Sequence, residues 1–286
     1  MPLWVYKKGG WLSESIVPLF RNYTKVLVDT LSDRVAWWMT MNEPGCFIMN
    51  GYMQGVHAPF KRNYLALSKL PRNCMLAHAE AVKVIRQHAK KTPKVGVAFS
   101  SGAWVPEHET PGEIEDARKK TVETGNGLMA NRWWMDPMLL GKPVRAYGIY
   151  ATHEKDMAAI CQPLDFIGLN IYTSFNYADW GGGKKPDPGM AKNSLGWVID
   201  GRVMYWNVKF VYDRYKLPIM ITENGLAAND IVSLDGKSFD GIPYQETYKA
   251  LSDIFKADAV CPVQMMRAAS LDEVKAIYDE WVECDG

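Results

Sequence analysis

Apolar residues recur along the chain in two alternating patterns, one with helical spacing and one continuous. The helical spacing predicts four helices, over residues 16–31, 73–89, 112–130 and 201–215. Short apolar runs rich in β-branched residues predict strands between them, at 35–41, 94–100, 165–173 and 218–223. Helices that alternate with continuously apolar strands predict a parallel sheet covered by helices.

The intervals between the strands favour one of two parallel architectures. Widely separated strands followed by long loops are typical of a (β/α)8 TIM barrel, whose active site lies at the carboxyl ends of the strands. A doubly wound sheet is the alternative, but no glycine-rich fingerprint follows any of the strands, and we rank it lower. We predict an α/β fold of the (β/α)8 TIM-barrel type that is incomplete, with about four or five βα units.

Two of the predicted strands end on a glutamate. Glu43 follows the run WWMTMN and precedes Pro44, and Glu223 follows the run PIMIT and precedes Asn-Gly. Each glutamate could lie in a simple turn, because proline disfavours helix in the preceding residue and Asn-Gly is a tight-turn dipeptide. Together, however, both acids end apolar strands on what should be the same face of a barrel, where few structural needs place them.

Glycoside hydrolysis is the chemistry that requires two such acids. One carboxylic acid donates a proton to the leaving oxygen, and the other, as a carboxylate, attacks the anomeric carbon. Carboxyl groups ~5–5.5 Å apart give retention through a covalent intermediate, and ~6.5–9.5 Å gives inversion. We expect the shorter separation between Glu43 and Glu223.

The motifs around these glutamates resemble those of a known family. TMNEP (40–44) and ITENG (221–225) resemble the two catalytic signatures of glycoside hydrolase family 1, the β-glucosidase and 6-phospho-β-glucosidase family. Further similarity lies in MPLWVYKKGGW (1–11), GYMQGVHAP (51–59), LAHAEAV (76–82), NRWWMDPMLLGKP (131–143) and DFIGLNIYT (165–173). The resemblance covers about residues 1–228.

The resemblance implies roles for individual residues. Glu43 would be the catalytic acid/base and Glu223 the nucleophile. For substrate binding, Asn42 would contact the sugar 2-hydroxyl, and Tyr172 would hydrogen-bond the nucleophile, although a core strand aromatic is the alternative for Tyr172. We expect His57 and His78 to be structural. Trp104 and Trp197 could line a platform for the aglycone, or either could simply be packed.

The sequence departs from the family pattern at both ends. The family's first three βα units, which supply a glutamine, a histidine and an arginine to the site, have no counterpart, and neither does its eighth strand with its glutamate and tryptophans. Gly45 also stands where the family commonly has tryptophan. We expect a partial barrel over 1–228 and a divergent helical tail over 229–286. The tail would hold a helix near 244–255, a strand at 259–266 and a helix from Ser270, so that it could form one further βα-like unit on the same domain.

Composition narrows the possible partners. Lys+Arg 33 against Asp+Glu 32 argues against nucleic acid, and 11 Trp with 14 Tyr suits the faces of a sugar ring. The first residues lack the features of a secretory signal, and no apolar run reaches membrane-spanning length, so we expect a cytoplasmic protein without a membrane partner. Five cysteines without a CxxC pair fit neither a disulfide framework nor a zinc site, and we expect no cofactor and no metal.

Two functions remain open from the sequence. The first is a retaining β-glycosidase for small β-glucosides or β-galactosides, with weak activity because sugar-binding strands are missing. The second is a catalytically impaired sugar-binding or vestigial barrel fragment. In either case an open half-sheet leaves edges uncovered, and three remedies are open: self-association as a homo-oligomer, a complementing chain, or a longer natural protein of which this is a fragment. We favour self-association or a partly open, less rigid barrel. The sugar preferred, and whether it is phosphorylated, do not follow from the sequence.

Overall fold

The computed structural model describes residues 1–146, 149–150, 152–178 and 183–227. The chain divides into two units, Met1–Ala228 and Asn229–Gly286, and the described residues belong to the first. The strand and helices expected in the tail lie outside the described residues.

Four strands form the main sheet, and two short ones form a hairpin. The bounds are Trp37–Asn42 (β1), Lys94–Ser101 (β2), Arg145–Ala146 (β3), Ile149–Tyr150 (β4), Phe166–Ile171 (β5) and Ile219–Glu223 (β6). The main sheet has the order β1-β2-β5-β6, and all its pairings are parallel. The hairpin β3-β4 is antiparallel. The predicted α/β fold with a parallel sheet is confirmed, and the strand ends differ from prediction by one or two residues.

Eight helices occur in the described part of the chain. Their bounds are Leu3–Lys7 (α1), Ile16–Leu31 (α2), Pro44–Ile48 (α3), Lys69–His88 (α4), Pro111–Lys119 (α5), Asn131–Leu140 (α6), Glu154–Ile160 (α7) and Arg202–Tyr215 (α8). Helix α4 begins four residues before the predicted start, because Pro71 lies in its first turn, where a backbone N–H has no helical acceptor.

The helix predicted over 112–130 is wrong in its second half. The α-helix ends at Lys119 and continues as a wider π-helical turn, Lys120–Thr124. Gly127 then takes a φ of 101°, a left-handed conformation that suits glycine and ends any helical path. The charged residues of this segment gave a helical pattern without showing where the helix stops.

The core lies between the sheet and its covering helices. All six residues of β5 are buried, as expected for a strand covered on both faces. Helices α2 and α4 pack together and onto β2 through a valine-rich cluster: Val28, Val82, Val84, Ile85 and Val95. The sheet is therefore held by apolar contacts to helices that precede and follow β1 in sequence.

A buried carboxylate joins helices α6 and α8. Asp136 of α6 is only 4% exposed, and it accepts hydrogen bonds from the Arg214 guanidinium at 2.8 Å and the Tyr215 hydroxyl at 2.7 Å. Both partners lie at the end of α8. This ion pair fixes the helix that leads directly into β6.

The two outer strands of the described sheet each have one hydrogen-bonded neighbour among the described residues. Met39 of β1 is 51% exposed, and every residue of β6 is half-buried. Apolar strand residues with this much exposure are typical of sheet edges that another element covers.

We predict that Gly96→Ala destabilises the fold and that Gly112→Ala does not. A Cβ at Gly96 of β2 would lie 2.6 Å from the Phe166 ring and 2.7 Å from the Phe166 carbonyl oxygen. The strand backbone cannot move aside without disturbing the ladder, so the free energy of unfolding should fall by about 1–3 kcal/mol.

Gly112, in the first turn of α5, is the matched control. An added Cβ there meets no heavy atom within 4 Å. Alanine at this position should leave stability unchanged or raise it by about 0.5–1 kcal/mol. Urea denaturation of both variants checks the prediction, and equal midpoints for the two would contradict it.

Candidate active site

An extra residue in β1 lies just before Glu43. Met39 of β1 lies opposite Gly96 of β2. The next pair in register is Asn42 opposite Ala98, so three steps along β1 match two along β2. The bulge bends the end of the strand and turns its side chains, as bulges near active sites do.

The backbone of Glu43 then leaves the strand in an unusual conformation. Its φ of 46° and ψ of 60° are left-handed, which costs a non-glycine residue about 1–2 kcal/mol. The Glu43 N–H donates to the Ala98 carbonyl at 2.9 Å, and Pro44 begins helix α3 at once. The ladder on one side and the helix on the other fix the glutamate at the carboxyl end of the strand.

A second extra residue lies before Glu223 in β6. Ile221 is opposite Leu169 of β5, and Glu223 is opposite Asn170, so Thr222 is the inserted residue. Each of the strands that carries a glutamate is thus bulged immediately before it. Parallel pairing places both acids at the carboxyl ends of the strands, and each irregularity changes the direction of the residues that follow it.

Gly168 leaves the space that Thr222 occupies. A Cβ at Gly168 would lie 3.0 Å from the Thr222 Cγ2 atom. With its methyl group against glycine, Thr222 donates its hydroxyl to Asn170 Oδ1 at 2.6 Å. The bulged residue therefore contacts the neighbouring strand through both its methyl group and its hydroxyl.

Asn170 links the strands at the centre of the site. Its side chain is fully buried, and its Nδ2 donates to Asn42 Oδ1 and to Glu43 Oε1, both at 2.9 Å. Through Thr222 the same amide is joined to β6. One asparagine on β5 thus contacts the strand of each glutamate.

Tyr172 holds the second glutamate. Its hydroxyl donates to Glu223 Oε2 at 2.6 Å. Burial, the hydrogen bond to Glu223 and the nearby charge of Glu43 together raise the pKa of Tyr172 to about 12, so the phenol stays protonated and remains a donor. The contact occupies the Oε2 oxygen of Glu223 and leaves its Oε1 oxygen for another partner.

The charges of both acids act on one cysteine. Burial raises the pKa of Cys46 to about 12, and the charges of both Glu43 and Glu223 contribute in the same direction. Both carboxylates also raise the pKa of Tyr172. Glu43 and Glu223, separated by 180 residues of sequence, therefore act on the same two side chains.

The four residues predicted for the site lie together. Glu43 and Asn42 end β1, Glu223 ends β6, and Tyr172 directly follows β5. Sequence reasoning missed Asn170, Thr222 and Cys46. A signal for Asn170 was available, because a polar residue interrupts the otherwise apolar run FIGLNI, and buried polar groups need partners.

The two histidines lie in different surroundings. His78 is fully buried in α4, and its Nδ1 lies 2.6 Å from the Thr40 hydroxyl of β1. Burial lowers the pKa of His78 to about 4, so the ring is neutral near pH 7 and connects helix to strand. His57 is exposed in the loop after α3. Neither histidine is among the residues in contact with the carboxylates.

Trp197 lines a cavity beside Tyr172. The cavity has a volume of about 340 Å³, and its other walls come from Asn193, Leu195, Gly225, Leu226 and Ala227. The rings of Trp197 and Tyr172 lie 6.3 Å apart. Trp104 lies elsewhere, with the Lys120 ammonium 5.5 Å from its ring. Of the two tryptophans, only Trp197 borders the carboxylate site.

Gly45, the departure immediately after the NEP motif, is closely packed. A Cβ there would lie 2.8 Å from the Leu128 carbonyl oxygen and 3.0 Å from the Trp134 Nε1 atom. The Trp134 indole donates to that same carbonyl at 2.7 Å. Glycine at position 45 is therefore matched to a buried indole directly behind it.

Parallel strands that present paired carboxylates at their carboxyl ends are typical of barrel-type glycosidases. A family described as "Glycosyl hydrolase family 1" matches residues 1–254. This chain belongs to glycosyl hydrolase family 1. The match extends past residue 228, where the resemblance seen in the sequence ended.

Individual relatives agree with this assignment. Beta-glucosidase A of Thermotoga maritima is 33% identical over 254 residues, covering 84% of this chain and 55% of the relative. Beta-glucosidase A of Acetivibrio thermocellus is 31% identical over 257 residues, covering 84% of this chain and 56% of the relative. The chain spans little more than half the length of these relatives.

Solved structures confirm the barrel type. The β-glucosidase of Thermotoga maritima in complex with deoxynojirimycin superposes with a TM-score of 0.74 at 29% identity, over 90% of this chain and 59% of that one. Its complex with castanospermine gives a TM-score of 0.73 over the same shares. The four-stranded sheet corresponds to part of a TIM barrel, as predicted.

Among the described helices, none is long and apolar enough to cross a membrane.

We predict that removing either carboxylate makes Cys46 more reactive. Glu43→Gln or Glu223→Gln should lower the pKa of the Cys46 thiol, because each charge disfavours the thiolate. The alkylation rate of Cys46 should rise by about two- to ten-fold, since the thiolate is the nucleophile. Iodoacetamide labelling followed by peptide mass spectrometry measures this rate.

Cys161 is an internal control for this experiment. Burial raises its pKa as well, but neither glutamate contributes. Its labelling rate should be the same in all variants. A rate at Cys46 that responds to only one of the two substitutions would mean that the carboxylates do not share this neighbourhood.

Proposed function

We propose that the chain carries the catalytic centre of a retaining β-glucosidase-type hydrolase for small β-glucosides or β-galactosides. The observation that supports the proposal is the pair of differently held carboxylates, Glu43 bonded to Asn170 and Glu223 bonded to Tyr172. The relatives are named as β-glucosidases, which is consistent with this chemistry. A cytoplasmic location remains a prediction from the sequence.

In the first step of the proposed reaction, the two glutamates act on opposite sides of the glycosidic bond. Glu223 Oε1 attacks the anomeric carbon while Glu43 gives its proton to the departing oxygen, so that the alcohol leaves and a glycosyl ester forms. Tyr172, which donates to the other oxygen of Glu223, orients the nucleophile. Asn42 would bind the 2-hydroxyl of the same sugar.

In the second step, Glu43 acts as a base. It takes a proton from water, the water oxygen attacks the anomeric carbon, and Glu223 is released as a carboxylate. The sugar leaves with its original anomeric configuration, and both glutamates return to their starting protonation states. The two steps together consume one water molecule and require no oxidant or reductant.

The rate should be low for the chain alone. Several sugar-binding residues of the family have no counterpart in the sequence, and stabilisation of a transition state depends on groups that are already in place. The outer strands β1 and β6, each with one hydrogen-bonded neighbour among the described residues, favour a second proposal, that a complementing chain or a second copy completes the site. A catalytically impaired sugar-binding fragment is the corresponding alternative function.

We predict that Glu223→Gln abolishes hydrolysis of p-nitrophenyl β-glucoside, lowering kcat/KM by about 10⁴-fold or more, because the amide cannot form the glycosyl ester. Glu80→Gln, at an exposed ion pair with Lys83 on α4, is the matched control and should retain full activity. Light scattering on the same samples reports the mass of the active species.

The possible results separate the two proposals. Turnover that Glu223→Gln removes and Glu80→Gln preserves supports the glycosidase. A folded chain without turnover, even at high concentration, would reject activity of the chain by itself and favour the impaired sugar-binding fragment.

We predict that the first product has the same anomeric configuration as the substrate. The reason is the expected separation of the two carboxyl groups, ~5–5.5 Å, which leaves no room for water between Glu223 and the anomeric carbon in the first step. Proton NMR during early hydrolysis should show the β-anomer before mutarotation. Initial release of the α-anomer would require an inverting site and would reject the assignment of Glu223 as nucleophile.

A further inference from the structure

The fully buried amide of Asn170 makes more contacts with the site than packing of β5 requires. Its Nδ2 donates to Asn42 Oδ1 and Glu43 Oε1, each at 2.9 Å, and its Oδ1 accepts from Thr222 at 2.6 Å. Asn42 and Thr222 are neutral neighbours. Asn42 accepts one hydrogen of the amide, and Thr222 donates to its oxygen. The second hydrogen is directed at a carboxylate.

We propose that Asn170 is a positioning residue for Glu43, and that the Thr222 hydroxyl holds the oxygen end of its amide in place. This proposal rests on the function proposed above, in which Glu43 is the acid/base. Asn170 touches one oxygen of Glu43 and sets the direction of the carboxyl group towards the bond that is cleaved.

The orientation of the amide follows from its partners. The two atoms next to Nδ2 are a carbonyl oxygen and a carboxylate oxygen, which both accept hydrogen bonds, so the NH₂ group must face them. The Thr222 hydroxyl then donates to Oδ1. A flipped amide would place its oxygen against Glu43 Oε1 and its hydrogens against Thr222.

The bulge in β6 is what makes this arrangement possible. Thr222 is the inserted residue between the pairs Leu169–Ile221 and Asn170–Glu223, and its methyl group rests against Gly168. The strand that carries the nucleophile therefore also supplies the hydroxyl that holds the amide bonded to the acid/base. Glu43 on β1 and Glu223 on β6 are linked through one side chain on β5.

A misplaced acid affects some substrates more than others. A poor leaving group such as methoxide needs a proton from Glu43 as the glycosidic bond breaks, whereas 2,4-dinitrophenolate leaves without one. Because kcat/KM reports the first step, loss of positioning should reduce it for methyl β-glucoside and spare it for dinitrophenyl β-glucoside. A general loss of structure would reduce both alike.

The test compares Asn170→Ala with Asn73→Ala, an equally buried asparagine on α4 whose amide bonds to the Trp11 carbonyl. In Asn170→Ala, kcat/KM should fall about 10²-fold for methyl β-glucoside and by less than about three-fold for dinitrophenyl β-glucoside. In Asn73→Ala any change should be the same for both substrates. Equal losses on both substrates in Asn170→Ala would overturn the proposal.

Thr222→Val provides a second variant if Asn170→Ala does not fold. Valine keeps the shape and the methyl contact with Gly168 but removes the hydroxyl that holds the oxygen end of the amide. The same selective loss should appear, at about ten-fold. Equal kcat/KM values for wild type and Thr222→Val on both substrates would remove Thr222 from the proposal.

A readout without turnover separates this proposal from the proposed function. Crystal structures of the wild type and of Asn170→Ala should show the Glu43 carboxyl group in one orientation in the former and displaced or split between orientations in the latter. If the wild type hydrolyses neither substrate but Glu43 moves, positioning stands and the glycosidase proposal fails. A Glu43 carboxyl group that stays in place in Asn170→Ala overturns the positioning role whatever the activity.

Discussion

Parallel pairing of the strands is the constraint on which the rest of this structure depends. In a parallel sheet the carboxyl ends of all strands lie on the same side, so residues far apart in sequence meet there without any direct chain connection. The buried strand β5 is central to this pairing, because it holds β2 on one side and β6 on the other. Because all six residues of β5 are buried, water does not reach its backbone hydrogen bonds. The side chains at the carboxyl end of β5 therefore start from a fixed backbone.

The site uses small irregularities within this regular frame. A strictly regular ladder would alternate side chains across the sheet with period two, and a one-residue insertion reverses the face for everything that follows. The insertions in β1 and β6 therefore change where the last residues of each strand point while leaving the core pairing intact. Asn42 and Glu43 on one strand, and Glu223 on the other, come to contact Asn170 and Tyr172 in this way.

Much of this arrangement could be predicted from sequence, for physical reasons. Continuous apolar runs identify buried strands, and an acid that ends such a run is conspicuous, so β1, β6 and both glutamates were found. The family motifs added Asn42 and Tyr172. The bulges were not found, because an inserted residue changes register against a neighbour and leaves no mark within its own strand. The end of α5 was missed for a related reason, since its charged surface residues carry no information about where the turn widens.

The packing at Gly45 has a consequence for which side chains the site can accept. Even a Cβ at this position would collide with the Leu128 carbonyl and meet the indole of Trp134. A larger residue at position 45 therefore requires a smaller residue at 134 and a shift of the backbone near 128. The two positions are coupled, so that a substitution at either one is tolerated only together with a change at the other.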